Sequence, residues 1–413
     1  MTNQVLTSLN LSKNESISGQ GTEHLCAALK KNQTLKQLRL HSINCGKEGA
    51  AHIAEMLTAN NSIILLDLFQ NHLGAEHANA IAAAVKGKPQ PPAFLDCSTQ
   101  DEKQARFRWP MDIGDIILLC VYLERDRDIV TVDLIDTSIE FEQGQRIAQM
   151  LEVNQTITEI KIGTRYDMHT LSLKELRGEI ATREIDLYSS TQERIDWAGA
   201  AIVAGLIRSN THLKSLTLNS RKPFAIQELR GNTPVEVIDL SSNDVTAPIA
   251  WIVSSLIKAN MVTKTLKLAD NDFGDRRHNL SAGHFIGEAL EANKTLTALT
   301  LSGNTLQHGN EEAADWLAGM LKRNTTLTSL EMANCSMGAK SAEFIAEGLR
   351  ANQTLKLLDL KGNAFDAKAA GYLADGLKPN KSLTSLDLCG NQVSDAGKAE
   401  LRKSASRSLR LDI

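Results

Sequence analysis

Strong charge of one sign, aromatic rings and paired cysteines are all scarce in this chain. Aromatic residues make up 4% and the formal net charge is −4, so no broad basic field exists to draw nucleic acid or an anionic membrane. No run approaches the roughly 18 apolar residues that cross a bilayer. The first residues lack a charged start followed by an apolar stretch, so no signal peptide is expected and a cytoplasmic setting follows. Cys26, Cys45, Cys97, Cys120, Cys335 and Cys389 form no Cys-x-x-Cys pair, which leaves free, mostly buried thiols. Histidines 72 and 77, or 278 and 284, are spaced wrongly for one helix face, so no metal and no cofactor are assigned. Neither a phosphate-binding Gly-x-x-x-x-Gly-Lys-Ser/Thr loop nor a Gly-x-Ser-x-Gly elbow is present.

What the chain does have is one phrase, repeated. Leu6-x-x-Leu9-x-Leu11-x-x-Asn14 near the start returns as Leu383-x-x-Leu386-x-Leu388-x-x-Asn391 near the end, and about fourteen registers lie between and including them. A spacing of about 28 residues holds one strand, a turn, one helix and a second turn, so each coil is a βα unit. A solenoid contacts only its neighbours, and 413 residues then fit a single elongated domain. The boundaries expected are regular repeats over 1–91, irregular repeats with an inserted loop over 92–234, regular repeats over 235–397 and a C-terminal cap over 398–413.

Within one coil, Leu358 and Leu360 point inward while Leu357, Asp359 and Lys361 point out, because strand side chains alternate. Asn363 opens the turn, and stacked copies of it form a ladder. A second asparagine closes the helix three residues before eleven of the fourteen registers, as in Asn60, Asn154, Asn293, Asn324, Asn352 and Asn380. It is expected to end the helix in a left-handed conformation. Several of these spell Asn-x-Ser/Thr, but the Thr belongs to the turn pattern, so glycosylation is not expected.

The pattern Asn-x-Thr-Leu-x-x-Leu-x-Leu-x-x-Asn, followed by helices such as Gly49-Ala-Ala-His-Ile53-Ala-Glu-Met-Leu57, resembles the ribonuclease-inhibitor-like class of leucine-rich repeats. That resemblance implies an α/β fold: a right-handed horseshoe solenoid with a parallel β-sheet on the concave face and helices on the convex face. The class includes the sensing repeats of NOD-like receptors, Ran GTPase-activating proteins and effectors that bacteria deliver into host cytosol. It is nearly silent on function. Repeats run to Leu388, so the separate catalytic domain of bacterial leucine-rich-repeat ubiquitin ligases is not expected. The basic ending, with Lys398, Arg402, Lys403, Arg407 and Arg410, differs from the acidic tail usual in Ran activators.

The repeat breaks between residues 92 and 234. One coil is expected to carry its strand near Asp96 and then an inserted loop, 98–112, that protrudes with Phe107 and Trp109. Two short coils share Glu175-Leu-Arg177-Gly and Glu228-Leu-Arg230-Gly, read as a structural duplication, and neither has room for a full helix. Leu409-x-Leu411-x-Ile413 alternates like a final strand.

Function is expected on the outward strand positions. Asp67, Asp96, Asp133, Asp186, Asp239, Glu331, Asp359 and Asp387 are acids there, against the bases Arg39, Lys161 and Lys267. Stacked strands place them in a negative stripe that steers a partner with a basic or apolar surface. Phe69, Ile135 and Tyr188 follow two positions later, and with Phe107 and Trp109 they are candidate anchors for a protein partner. A non-enzymatic protein-interaction scaffold is the reading that results, plausible as a bacterial effector acting on a host protein. GTPase activation and receptor-like sensing are alternatives, and self-association through the first coil stays open.

Overall fold

The computed structural model describes residues 3–88, 103–188, 194–220, 222–273, 282–306 and 315–413. By internal contacts the chain divides into two compact units, Met1–Ile180 with Asp196–Ser209, and Ala181–Ile195 with Asn210–Ile413.

The first unit holds two sheets. Strands Ser8–Asn10, Gln37–Arg39 and Leu65–Asp67 pair in parallel, with Leu9, Leu38 and Leu66 in one register row. Strands Gln104–Arg106, Thr131–Asp133 and Glu159–Thr164 pair in parallel, and Asp167–Ser172 returns antiparallel beside the last of them. The inward leucines are sealed from water: Leu38, Leu40, Leu66 and Leu68 are fully buried. Against them pack helices such as Gly46–Ala59, whose Ile53, Met56 and Leu57 recur at helical spacing on one face. Burying each such side chain contributes about 1.5–3 kcal/mol, so cohesion accumulates coil by coil.

The second unit has a small sheet, Glu184–Asp186 with Ser215–Thr217 and an antiparallel Phe224–Ala225. Its larger sheet has seven parallel strands, Val237–Asp239, Thr265–Lys267, Ala298–Thr300, Ser329–Glu331, Leu357–Asp359, Ser385–Asp387 and Arg410–Asp412. The last of these is the expected terminal strand, with Leu411 in register with Leu386.

Both short coils solve their lack of length in one way. After Glu159–Thr164 and after Ser215–Thr217 the chain folds back as a strand, and only then forms the brief helices Leu173–Arg177 and Ile226–Leu229.

The closing asparagines are not left-handed. Asn60, Asn154, Asn324 and Asn352 have φ between −94° and −72° and ψ between 114° and 129°, which is extended backbone. Their side chains do the work instead. Asn352 Oδ1 accepts from the N–H groups of Thr354 and Leu355, at 3.0 and 2.8 Å, while Nδ2 donates to the carbonyls of Leu321 and Asn324 one coil earlier. Such a two-sided rung satisfies backbone groups at the end of one helix and the start of the next strand. It also leaves Asn154, Asn293, Asn324 and Asn352 at most 3% exposed, out of reach of glycosylation.

The turn ladder is present as expected. Asn71 Nδ2 donates to Leu40 and Leu68, and its Oδ1 accepts from Ile43 and Cys45. Asn363 repeats these bonds on Met332, Leu360, Cys335 and Met337.

Candidate interaction surfaces

The outward strand acids have a local task that recurs through the chain. Asp67, Asp133, Asp186, Asp239, Asp359 and Asp387 each accept, through Oδ1, the backbone N–H two residues on, at 2.8–3.2 Å. The strand ends where that N–H turns from its neighbour to the carboxylate, so an acid in this position terminates a three-residue strand.

Their exposure differs between the units. In the first unit Asp67 and Asp133 are buried, at 3% and 2% exposed, and the expected stripe does not form there. Asp133 is clasped by two guanidinium groups: Arg106 Nε lies 3.3 Å from it, and Arg108 donates bidentately, Nη1 to Oδ1 at 2.6 Å. Burial pushes the Asp133 carboxyl up, but the Arg108 hydrogen bonds, the Ile135 N–H and the two arginine charges more than reverse this and hold it below its ordinary value. Strand neighbours of Asp133 are Arg106 and Lys161, so the row here alternates in sign.

Three proposed anchors are corrected by burial. Phe69 and Ile135 are only 2% and 7% exposed, and Phe107 is 1% exposed. Phe107 does not hang from a loop: Gln104–Arg106 is the strand of this coil, and Phe107 fills the inward place that Leu40 and Leu68 hold elsewhere. Ala105 and Phe107 provide the inward pair that registers against Val132 and Leu134. Asp96 and Cys97 lie outside the described residues.

Trp109 is half-buried and sits edge-on to His41, Phe69 and Phe107, with centroids 5.4, 6.2 and 5.6 Å away. Its Nε1 is buried with no hydrogen-bond partner among the described residues. His41 Nδ1 faces Asp67 Oδ1 at 3.8 Å, and that carboxylate raises the imidazole above its ordinary value against the opposing effect of burial. Sequence reasoning missed His41, since a lone histidine after a strand carries no pattern.

Beside this cluster a cleft of about 400 Å³ opens between successive strand-to-helix turns, lined by Glu15, Ser42, Asn44, Gln70, His72, Pro110, Asp112 and Asp115. Asp115 is 2% exposed, and its Oδ1 accepts from Gln70 N at 2.9 Å. Burial, then the neighbouring Asp112 charge, pushes its carboxyl up to about 7.

In the second unit the acids reach the surface. Asp186, Asp239 and Glu331 are exposed, while Tyr188, Asp359 and Asp387 are half-buried. Glu331, Asp359, Asp387 and Asp412 stand side by side on four adjacent parallel strands with no base between them. Among the described residues no group of three or more His, Cys, Asp or Glu is placed to hold a metal ion, and no helix is long and apolar enough to cross a membrane.

The paired arginines of the short coils are structural. Arg177 Nη2 donates to the carbonyls of Leu151 and Asn154, both at 2.6 Å, and Nη1 donates to Ile157 at 3.0 Å. Arg230 reaches the carbonyl of Asn210 in the same way. Cys26, Cys45 and Cys335 are free and buried, and burial pushes each thiol up to about 12, which makes them inert.

A family model described as leucine-rich repeat matches residues 2–26, 323–346, 351–374 and 380–398. The human protein "NACHT, LRR and PYD domains-containing protein 13" is 35% identical over 85 residues, which cover 20% of this chain and 8% of that protein. Similar solved structures include leiomodin-1 actin-binding site 2, at 21% identity over 44% of this chain and 86% of that one, with a TM-score of 0.31. The tropomodulin C-terminal domain of Caenorhabditis elegans is 14% identical, covering 37% of this chain and 89% of that one, with a TM-score of 0.30. A chain of the mouse RP105/MD-1 complex is 13% identical over 98% of this chain and 64% of that one, with a TM-score of 0.33. The four matched segments are leucine-rich repeats, and the βα coils stacked on parallel strands have the leucine-rich-repeat fold.

Proposed function

We propose that this chain is a non-enzymatic scaffold that binds a protein partner carrying a basic surface. The observation behind this reading is the unbroken acidic row Glu331, Asp359, Asp387 and Asp412. Adjacent strands lie about 4.8 Å apart, closer than the Debye length of about 8 Å in physiological salt, so Glu331, Asp359 and Asp387 act on an approaching cation together, while Asp412 at the end of the row pairs with Arg410 Nε at 3.0 Å. Such a row speeds encounter and selects against acidic partners more than it adds raw affinity.

Affinity capture from a cytosolic extract tests this, with the parent chain run beside an Asp359→Lys, Asp387→Lys variant. A basic protein retained by the parent, released by moderate salt and lost in the variant supports the reading. Equal recovery by both chains removes it. Effector action on a host protein, receptor-like sensing and GTPase activation are narrower forms of the same role, separated by which partner is recovered. Stimulated GTP hydrolysis that disappears on Arg39→Ala would replace the non-enzymatic reading with the last of these.

A further inference from the structure

The cleft between the strand-to-helix turns of the first unit is a built site. Two turns supply one wall, with Ser42, Asn44, Gln70 and His72 all at positive φ, between 52° and 57°. Ser42 Oγ donates to Gln70 Oε1 at 2.9 Å, which locks these turns to each other. Pro110, Asp112 and Asp115 supply the facing wall at the start of helix Ile113–Leu123. Its volume, about 400 Å³, falls in the range of roughly 300–1,000 Å³ in which clefts hold ligand groups.

The floor of the cleft has an unmet electrostatic need. Asp112 is partly engaged: Oδ1 accepts from Asp115 N at 2.9 Å and caps the helix, and Oδ2 lies 3.5 Å from the exposed His72 Nδ1. Asp115 has fewer partners. It is 98% buried, one oxygen accepts from Gln70 N, and among the described residues Oδ2 accepts no hydrogen bond and no cation pairs with the carboxylate. A carboxylate so far out of water is ordinarily paired with a cation or held protonated.

We propose that this cleft receives a long cationic side chain, arginine or lysine, of the partner, whose charged head pairs with Asp115 and Asp112 while its stem lies along Pro110. The proposal rests on the basic-partner reading above but uses residues of the other unit. Arginine or lysine fits because a single extended stem can carry its charge to a recessed carboxylate and leave the rest of the partner at the surface. Glu15 at the cleft rim adds attraction.

Charge state makes the binding pH-linked. Asp115 is the deprotonated acceptor only above its midpoint near 7, so affinity rises with pH through that range. The groups facing it are Asp112 on its own helix, His72 and Glu15 on the turns, and His41 with Asp67 from the strands behind. Protonation of His41 places a competing positive charge nearby and acts in the same direction.

The test uses the full chain labelled with ¹³C at aspartate carboxyl carbons, with the Asp115 signal assigned from Asp115→Asn. Nα-acetyl-arginine amide and Nα-acetyl-lysine amide are titrated at pH 8 and pH 6, with Nα-acetyl-citrulline amide as the uncharged control. Either cation is expected to move the Asp115 signal saturably at pH 8, to bind at least fivefold more weakly at pH 6, and to lower the Asp115 titration midpoint. Asp112→Asn, which retains the helix cap, is expected to weaken binding at least threefold, and it provides a folded comparison if Asp115→Asn is not recovered. Absence of a saturable shift with both cations, or an equal shift with citrulline, overturns the proposal. The Asp359→Lys, Asp387→Lys variant is expected to bind the probes normally, so loss of partner capture there and failure of the cleft are read independently.

Discussion

Arg177 Nη2 donates to the carbonyl oxygens of Leu151 and Asn154, each at 2.6 Å, and so takes the place that an asparagine amide holds in the regular coils. The equivalence is positional. Asn60 donates to Leu29 and Asn32, Asn380 to Leu349 and Asn352, and in every case the acceptors are the helix end and the closing asparagine of the preceding coil. A coil with a five-residue helix cannot carry an asparagine to that point, and the longer arginine reaches it from the short helix. Arg177→Ala is expected to lower stability by about 2–3 kcal/mol, since buried carbonyls lose their donors. Arg177→Lys should recover only part of this, because one ammonium replaces a planar fork. Urea unfolding of the three chains checks both.

Asn352→Ala removes two acceptor bonds and the donors to Leu321 and Asn324 in a residue that is 3% exposed. A loss of about 2–3 kcal/mol is expected. Gln353→Ala, one residue along on the exposed turn, should change stability by less than about 0.5 kcal/mol. Equal effects of the two substitutions in thermal melts would refute the rung as a stabilising element.

Asp115 contributes a pH dependence of definite sign. Its carboxyl stands at about 7 in the fold, against 3.8 ordinarily, so between these values the folded chain holds a proton that the unfolded chain releases. Stability therefore falls as pH rises from about 4 through 7, by on the order of 4 kcal/mol at 1.36 kcal/mol per unit. Asp115→Asn keeps an oxygen for the Gln70 N–H and removes the charge. It is expected to be more stable than the parent at pH 8, with the difference closing near pH 4, as followed by chemical unfolding across that range.

The Asp133 clasp works in the opposite sense. Its carboxyl is held below its ordinary value, so the stabilisation is present at neutral pH and is lost as pH falls through the folded midpoint. Arg108→Ala is expected to cost about 1–2 kcal/mol at pH 7, a modest figure because Arg106 remains and Arg108 is 39% exposed. As pH falls through the folded midpoint the cost should shrink, and a cost that did not change with pH would point to packing instead of charge.

The fold was legible because its signals are periodic. Leu358 and Leu360 are buried as strand alternation requires, the turn asparagines form their ladder, and Leu411 lies in the terminal strand. The outward face was read less well, since alternation states direction and not depth. Asp67 and Phe69 do project from the outer side of their strand, yet neighbouring turns and Trp109 cover them. In the inserted coil Leu95-Asp96-Cys97 and Ala105-Arg106-Phe107 both fit the phrase; the strand paired with Thr131–Asp133 is Gln104–Arg106, and residues 95–97 lie outside the described residues. Asp115 carried no signal at all, because its isolation comes from turns more than 40 residues away in the chain.

The asparagine rungs also impose an order in time. Each described rung sends its amide back to carbonyls made earlier: Asn71 to Leu40, Asn154 to Leu123, Asn293 to Ile257, Asn391 to Leu360. On a ribosome the acceptors of every rung are therefore already in place when its donor emerges. Each coil thus completes the end carbonyls of the coil before it and leaves its own to the next, so the polypeptide is suited to settle vectorially as it is synthesised.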